Sequence, residues 1–258
     1  MPVDLSKITK NGRAMFLAYD QGMEHGPAAD FTDANVDPQK ILEIAEKSGF
    51  TGVIFQKGVA EKYYDPKVNK VPLIVKLNGK TGLRKDLDEP YAPQFCSVDE
   101  AIELGAAAVG YTVYVGSQFE NQMLREFSAI EQEAEKQNLP LIAWMYPRGQ
   151  AVTGKETSRE ILSYAARLGL ELGADIIKIP YNGNKEDFAW VVKSAGKAKV
   201  VMSGGPKTKT REEFLKMVQD VLSIGAIGVA VGRNIWQDPS PLEASHQLAK
   251  IIFTNLRS

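Results

Sequence analysis

Eight short apolar runs rich in β-branched residues recur along the chain, with helix-patterned stretches between them. They are AMFLAY (14–19), GVIFQ (52–56), PLIVKL (72–77), AAAVGYTVYV (106–115), PLIAWMY (140–146), ADIIKIP (174–180), KVVMSG (199–204) and AIGVAVG (226–232). Each is too short for a core helix, and none alternates strictly between polar and apolar. Near-continuous apolar runs of this kind suit parallel strands covered on both faces. The intervening amphipathic stretches are clearest at 37–49, 97–105, 125–138, 158–173 and 210–225. Gly49, Gly105, Gly173 and Gly225 stand just before the next run, where a left-handed helix cap is expected. Ser97 with Glu100, and Thr210 with Glu213, have capping-box spacing. No Pro/Gly/Ser linker divides the chain. Eight strand–helix alternations predict an α/β fold, a (β/α)8 TIM barrel with one domain over 1–258, with a doubly wound sheet as the alternative.

Composition narrows the class. The length of 258 residues is close to the roughly 250 of such barrels. With 44% hydrophobic and 24% charged residues the chain has an ordinary soluble balance, which argues against disordered and membrane classes. A net charge of −1 leaves no electrostatic footprint for nucleic acid, so an anionic substrate has to be held by a local site. The single cysteine, Cys96, fits a reducing compartment. The start MPVDLSKITKNGR lacks the apolar stretch of a secretory leader, and no run reaches the roughly 18 residues of a membrane span. A cytoplasmic protein without membrane or nucleic-acid partners is expected.

In a barrel of this kind the chemistry sits at the C-terminal ends of the strands. Asp20 follows the first run directly, where it either faces the barrel mouth or caps a turn. The sixth run, Asp175-Ile176-Ile177-Lys178-Ile179-Pro180, carries a lysine late in an apolar strand. Such a lysine snorkels to solvent or points into the mouth, where desolvation favours the neutral amine that condenses with a carbonyl. Lys57, expected to end the second strand, and Lys76, inside the third, are rivals, each either the amine or a cation that binds phosphate or lowers the pKa of another lysine. In the fifth run Trp144 and Tyr146 share a face, so that one mouth can receive both, and Arg148 follows as a candidate phosphate clamp; two core aromatics and a rim arginine are the plainer alternative. Ser203-Gly204-Gly205 and Gly232-Arg233 end the seventh and eighth runs, the usual phosphate-binding place in these barrels. Two histidines, His25 and His246, are too few for a histidine-rich zinc site, and no Walker or dinucleotide motif follows a strand. Neither metal nor cofactor is expected.

LAYDQGMEHGP (17–27), AWMYPRG (143–149), ADIIKIPY (174–181), MSGGPKT (202–208) and GVAVGRNIWQ (228–237) resemble the archaeal-type class I fructose-bisphosphate aldolases, within the DhnA-like Schiff-base aldolase family. The resemblance spans nearly the whole chain, with motifs at five strand ends. It implies a metal-independent barrel that interconverts fructose 1,6-bisphosphate with dihydroxyacetone phosphate and glyceraldehyde 3-phosphate, in glycolysis and gluconeogenesis. Carried over by position, Lys178 matches the Schiff-base lysine, Tyr146 the general acid/base and Asp20 the acid that positions substrate hydroxyls. Ser203, Gly204, Gly205, Gly232 and Arg233 match the site for the phosphate nearest the keto carbon, and Trp144 matches a position associated with the true aldolases. Arg148 is the candidate for the second phosphate, with Lys155 and Lys185 as alternatives. Gln21 departs from the family, where histidine is common, which bears on the hydrogen bonding of Asp20. The resemblance also implies a homo-oligomer, such as a decamer of pentameric rings. A related Schiff-base enzyme acting on another sugar phosphate, such as 2-amino-3,7-dideoxy-D-threo-hept-6-ulosonate synthase, and a non-covalent phosphate-barrel isomerase remain as alternatives.

Overall fold

The computed structural model describes residues 3–26, 31–83 and 89–254. Eight strands, β1 (Ala14–Tyr19), β2 (Gly52–Gln56), β3 (Leu73–Lys76), β4 (Ala106–Val115), β5 (Leu141–Pro147), β6 (Ile176–Pro180), β7 (Lys199–Ser203) and β8 (Gly228–Val231), pair in chain order. All are parallel. The sheet closes where β8 returns to β1, with Ala14 opposite Gly228 and Phe16 opposite Ala230. The fold is therefore the expected (β/α)8 barrel, and closure rules out the doubly wound sheet.

Ten helices accompany the strands among the described residues: α1 (Gln21–His25), α2 (Pro38–Ser48), α3 (Lys57–Tyr63), α4 (Val98–Glu103), α5 (Glu120–Lys136), α6 (Arg159–Glu171), α7 (Lys185–Ser194), α8 (Arg211–Ser223), α9 (Arg233–Trp236) and α10 (Pro241–Thr254). The capping boxes at Ser97/Glu100 and Thr210/Glu213 both form. Gly49, Gly105, Gly173 and Gly225 all take positive φ, as helix exits of this type require. Lys57 does not end β2 but opens α3, a correction to its sequence assignment. Pro27 and the side chain of Gln21, both within the first resemblance motif, lie outside what is described.

Two-residue alternation sorts each strand between two apolar compartments. On β6, Ile177 and Ile179 pack outward with the helices, while Ile176 joins the barrel interior with Phe16, Ile54, Ile74, Ile142, Trp144 and Val201. Burial on both sides explains why the runs read as continuously apolar. The interior also shows why Gly110 is a glycine. A Cβ there would lie 1.4 Å from Cζ3 of Trp144, so the missing side chain of β4 makes room for the indole of β5. At the N-terminal end, Ile8 is fully buried in the interior cluster with Leu5 packed against it, so the segment before β1 closes the bottom of the barrel. No helix among the described residues is long and apolar enough to cross a membrane.

Candidate active site

A cavity of about 590 Å³ opens at the C-terminal ends of the strands. Lys178 stands on the inward face of β6 with 4% of its surface exposed, and its Nζ lies 5.0 Å from the ring centroid of Trp144. Among the described residues it makes no ion pair within 4.0 Å, unlike its two rivals. Lys57 points away from the cavity and pairs with Glu100 on α4. Lys76 does line the cavity, yet it is bound by two carboxylates, Asp20 Oδ2 at 3.2 Å and Glu24 Oε1 at 2.6 Å.

Asp20 is the N-cap residue of α1, but its side chain makes no capping hydrogen bond; it turns to Lys76 instead. Burial works to raise its pKa, and the Lys76 and Lys178 ammonium groups more than reverse this, holding it at about 2. It is a carboxylate across the neutral range. Tyr114 from β4 donates through Oη to Glu24 Oε2 at 2.9 Å. Burial and the Glu24 charge push its phenol upward, so it keeps the proton it donates. Burial and Arg233 draw His25 downward, which favours the neutral ring.

Tyr146 faces the cavity from β5, its Oη 3.2 Å from Ser203 Oγ on β7. Arg148 stacks on two rings, 5.4 Å from the centroid of Tyr146 and 5.7 Å from that of Tyr114. Trp144 shares the inward face with Tyr146 but is completely buried and does not reach the cavity, contrary to the expectation that one mouth receives both. It forms a floor beneath Lys178.

The ends of β7 and β8 approach each other closely. A Cβ on Gly204 would come within 2.8 Å of Val231 Cα, so only glycine fits that crossing. Gly205 takes φ 64°, a left-handed conformation that glycine adopts without strain. Arg233 donates through Nη2 to Gly205 O at 3.3 Å. Below them Asn234 is buried: its Nδ2 donates to the carbonyls of Gly204 and Pro206 at 2.9 Å each. Its Oδ1 accepts from the backbone N–H and the hydroxyl of Thr208.

Of the site residues expected from sequence, Lys178, Tyr146, Asp20, Arg148, Ser203, Gly204, Gly205, Gly232 and Arg233 line this one cavity. Lys155 and Lys185 do not. Glu24, Tyr114 and Asn234 escaped sequence reasoning. Tyr114 carried a usable signal, since it shares the inward parity of Gly110 and Thr112.

Residues 14–238 match the family model described as DeoC/LacD family aldolase. The chain is 54% identical over 248 residues to the class 1 fructose-bisphosphate aldolase of Thermoproteus tenax, covering 95% of this chain and 92% of that protein. It is 40% identical to the Halobacterium salinarum counterpart, covering 98% and 95% respectively. The crystal structure of an archaeal fructose 1,6-bisphosphate aldolase superposes with a TM-score of 0.91 at 52% identity, covering 97% of this chain and 98% of that one. Another such structure, with its catalytic lysine covalently bound to the carbinolamine intermediate of the substrate, gives 0.90 at 52% identity, covering 96% and 97%. With its barrel, its inward lysine and its family match over most of its length, this chain belongs to the DeoC/LacD family of aldolases.

Proposed function

We propose that this chain is a class I, metal-independent fructose-1,6-bisphosphate aldolase in which Lys178 forms the Schiff base. The observation that carries this is the contrast among three lysines: among the described residues Lys57 and Lys76 are held by carboxylates, while Lys178 has no such partner and lines the cavity with Tyr146 and the ends of β7 and β8. The names of the relatives in Thermoproteus tenax and Halobacterium salinarum support the substrate.

The backbone around Gly204 and Gly205, with Ser203, Gly232 and Arg233, receives the phosphate nearest the keto carbon, and Arg148 receives the second phosphate. Anchoring the substrate at both ends turns a bimolecular encounter into a positioned one. The neutral Lys178 amine adds to the keto carbon to give a carbinolamine, and loss of water leaves an iminium. Removal of the proton from the C4 hydroxyl lets the C3–C4 bond break, with its electron pair flowing into the iminium to give an enamine. Glyceraldehyde 3-phosphate departs. Protonation of the enamine and hydrolysis then release dihydroxyacetone phosphate and restore the amine. Tyr146, assisted by the Asp20 carboxylate, moves the protons of these steps. The reaction is reversible and serves sugar breakdown and sugar synthesis alike; the enzyme acts in the cytoplasm as a homo-oligomer.

Borohydride added with dihydroxyacetone phosphate tests this directly. Peptide mapping should find one reduced adduct, at Lys178, and Lys178→Met should abolish both adduct and cleavage. Full activity in that variant, or loss of wild-type cleavage in a coupled assay with chelator present, would overturn the proposal.

A further inference from the structure

We infer that Lys76, bracketed by Glu24 and Tyr114, is a positioning residue that aims and charges Asp20 for the reaction at Lys178. This presupposes the Schiff-base aldolase proposed above and extends it to residues that do not themselves perform its steps.

The geometry is an arc across three strands and one short helix. Asp20 follows β1, Lys76 ends β3, Tyr114 lies on β4 and Glu24 projects from α1. Lys76 Nζ contacts Asp20 Oδ2 at 3.2 Å and Glu24 Oε1 at 2.6 Å, and Tyr114 Oη donates to the other Glu24 oxygen at 2.9 Å. The Lys76 side chain is 2% exposed, that of Glu24 9% and that of Asp20 13%. A lysine this deep is costly unless its charge is matched. Asp20 alone would match it; Glu24 is the second carboxylate, and Tyr114 fixes where that carboxylate lies. The outcome is a cation that cannot swing into the cavity as a competing amine. Asp20 is in turn held in one orientation, with one oxygen on Lys76.

Other charged and titratable groups line the same cavity: Lys178 on β6, Tyr146 on β5 and Arg148 just after it, Arg233 on α9, Glu156 before α6, and Glu24 and His25 on the segment of Asp20 itself. Among the described residues none of these cations lies within 4.0 Å of the Asp20 carboxylate, whereas Lys76 does. Removing Lys76 therefore leaves burial to act on Asp20 with only the more distant cations in opposition, and the group takes up a proton at higher pH.

Lys76→Met with Glu24→Gln removes one cation and one carboxylate together. In this variant kcat should fall by about 100-fold, the lower range for loss of a positioned acid or base, with KM moving less than about threefold. The kcat–pH profile should gain an acid limb that the wild type lacks. An acid side superimposable on that of the wild type, or an unchanged kcat, overturns the inference. If that variant does not fold, the triple change Asp20→Asn, Lys76→Met, Glu24→Gln leaves none of the three charges unpaired and is compared with Asp20→Asn alone. Equal kcat values support action through Asp20; a further tenfold loss contradicts it. Borohydride trapping separates the two levels. No wild-type adduct at Lys178 means that the aldolase proposal has failed, whereas a normal adduct with an unshifted variant profile means that only the role of Lys76 has failed.

Discussion

Asn234 has both ends of its amide engaged, giving to Gly204 O and Pro206 O and taking from Thr208. It therefore dictates which way the neighbouring backbone N–H groups point. Asn234→Ala strands two carbonyls and an amide in a buried setting, at ~1–3 kcal/mol. Affinity for inorganic phosphate measured by calorimetry should fall about tenfold, with KM for the bisphosphate rising more than kcat falls. Asn234→Asp should be worse, because it turns an oxygen toward two carbonyls and adds negative charge beside the anion site. Nothing in local sequence marks this residue beyond its place after Arg233. The three lysines show the same limit. Each stands in or next to the late part of an apolar run, and spacing alone cannot rank them, because the deciding partners come from afar: Glu24 lies 52 positions from Lys76, and Glu100 lies 43 from Lys57. Motif resemblance reached Lys178 by another route, through the ordered strand ends.

The eight strands stand within two residues of the apolar runs because burial on both faces leaves an unbroken signal. The capped helices α2, α4, α6 and α8 were equally legible, since cap chemistry is local. The short helices were not. At five, seven and four residues, α1, α3 and α9 give too little chain for a 3.6-residue period to register. Glu24 is hidden for that reason, since its short helix is what carries it to Lys76. Packing between neighbouring strands yields a sharper test. Gly110 of β4 is filled by the Trp144 ring from β5, so Gly110→Ala has to push aside the floor under Lys178. Overpacking of this kind costs about 1–3 kcal/mol. Thermal melting should drop by several degrees, and the yield of borohydride-trapped Lys178 should fall with it; an unchanged melting curve would show that the indole has space elsewhere.

Across the whole molecule, acid should act through the same arc. Asp20 has a folded-state pKa of about 2 against 3.8 for an unperturbed carboxyl, so its contribution is complete above pH ~4 and is lost as pH falls toward 2. Denaturant melts at pH 5 and pH 3 should show a loss that is shallower in Asp20→Asn, by about 1 kcal/mol. Light scattering should return several times the chain mass of 28.3 kDa for the proposed homo-oligomer, and a value of 28.3 kDa would contradict it. Closure of the sheet was readable from the count of alternations, but the seal at its foot was not, because Leu5 and Ile8 sit in a segment without periodicity. A covalent bond to Lys178 orders traffic through the mouth, because the three-carbon half joined to the lysine cannot step out ahead of the half that is free. Glyceraldehyde 3-phosphate must then leave first in cleavage and arrive last in condensation. Product-inhibition kinetics should show that order, with dihydroxyacetone phosphate alone competing against the bisphosphate for the empty enzyme.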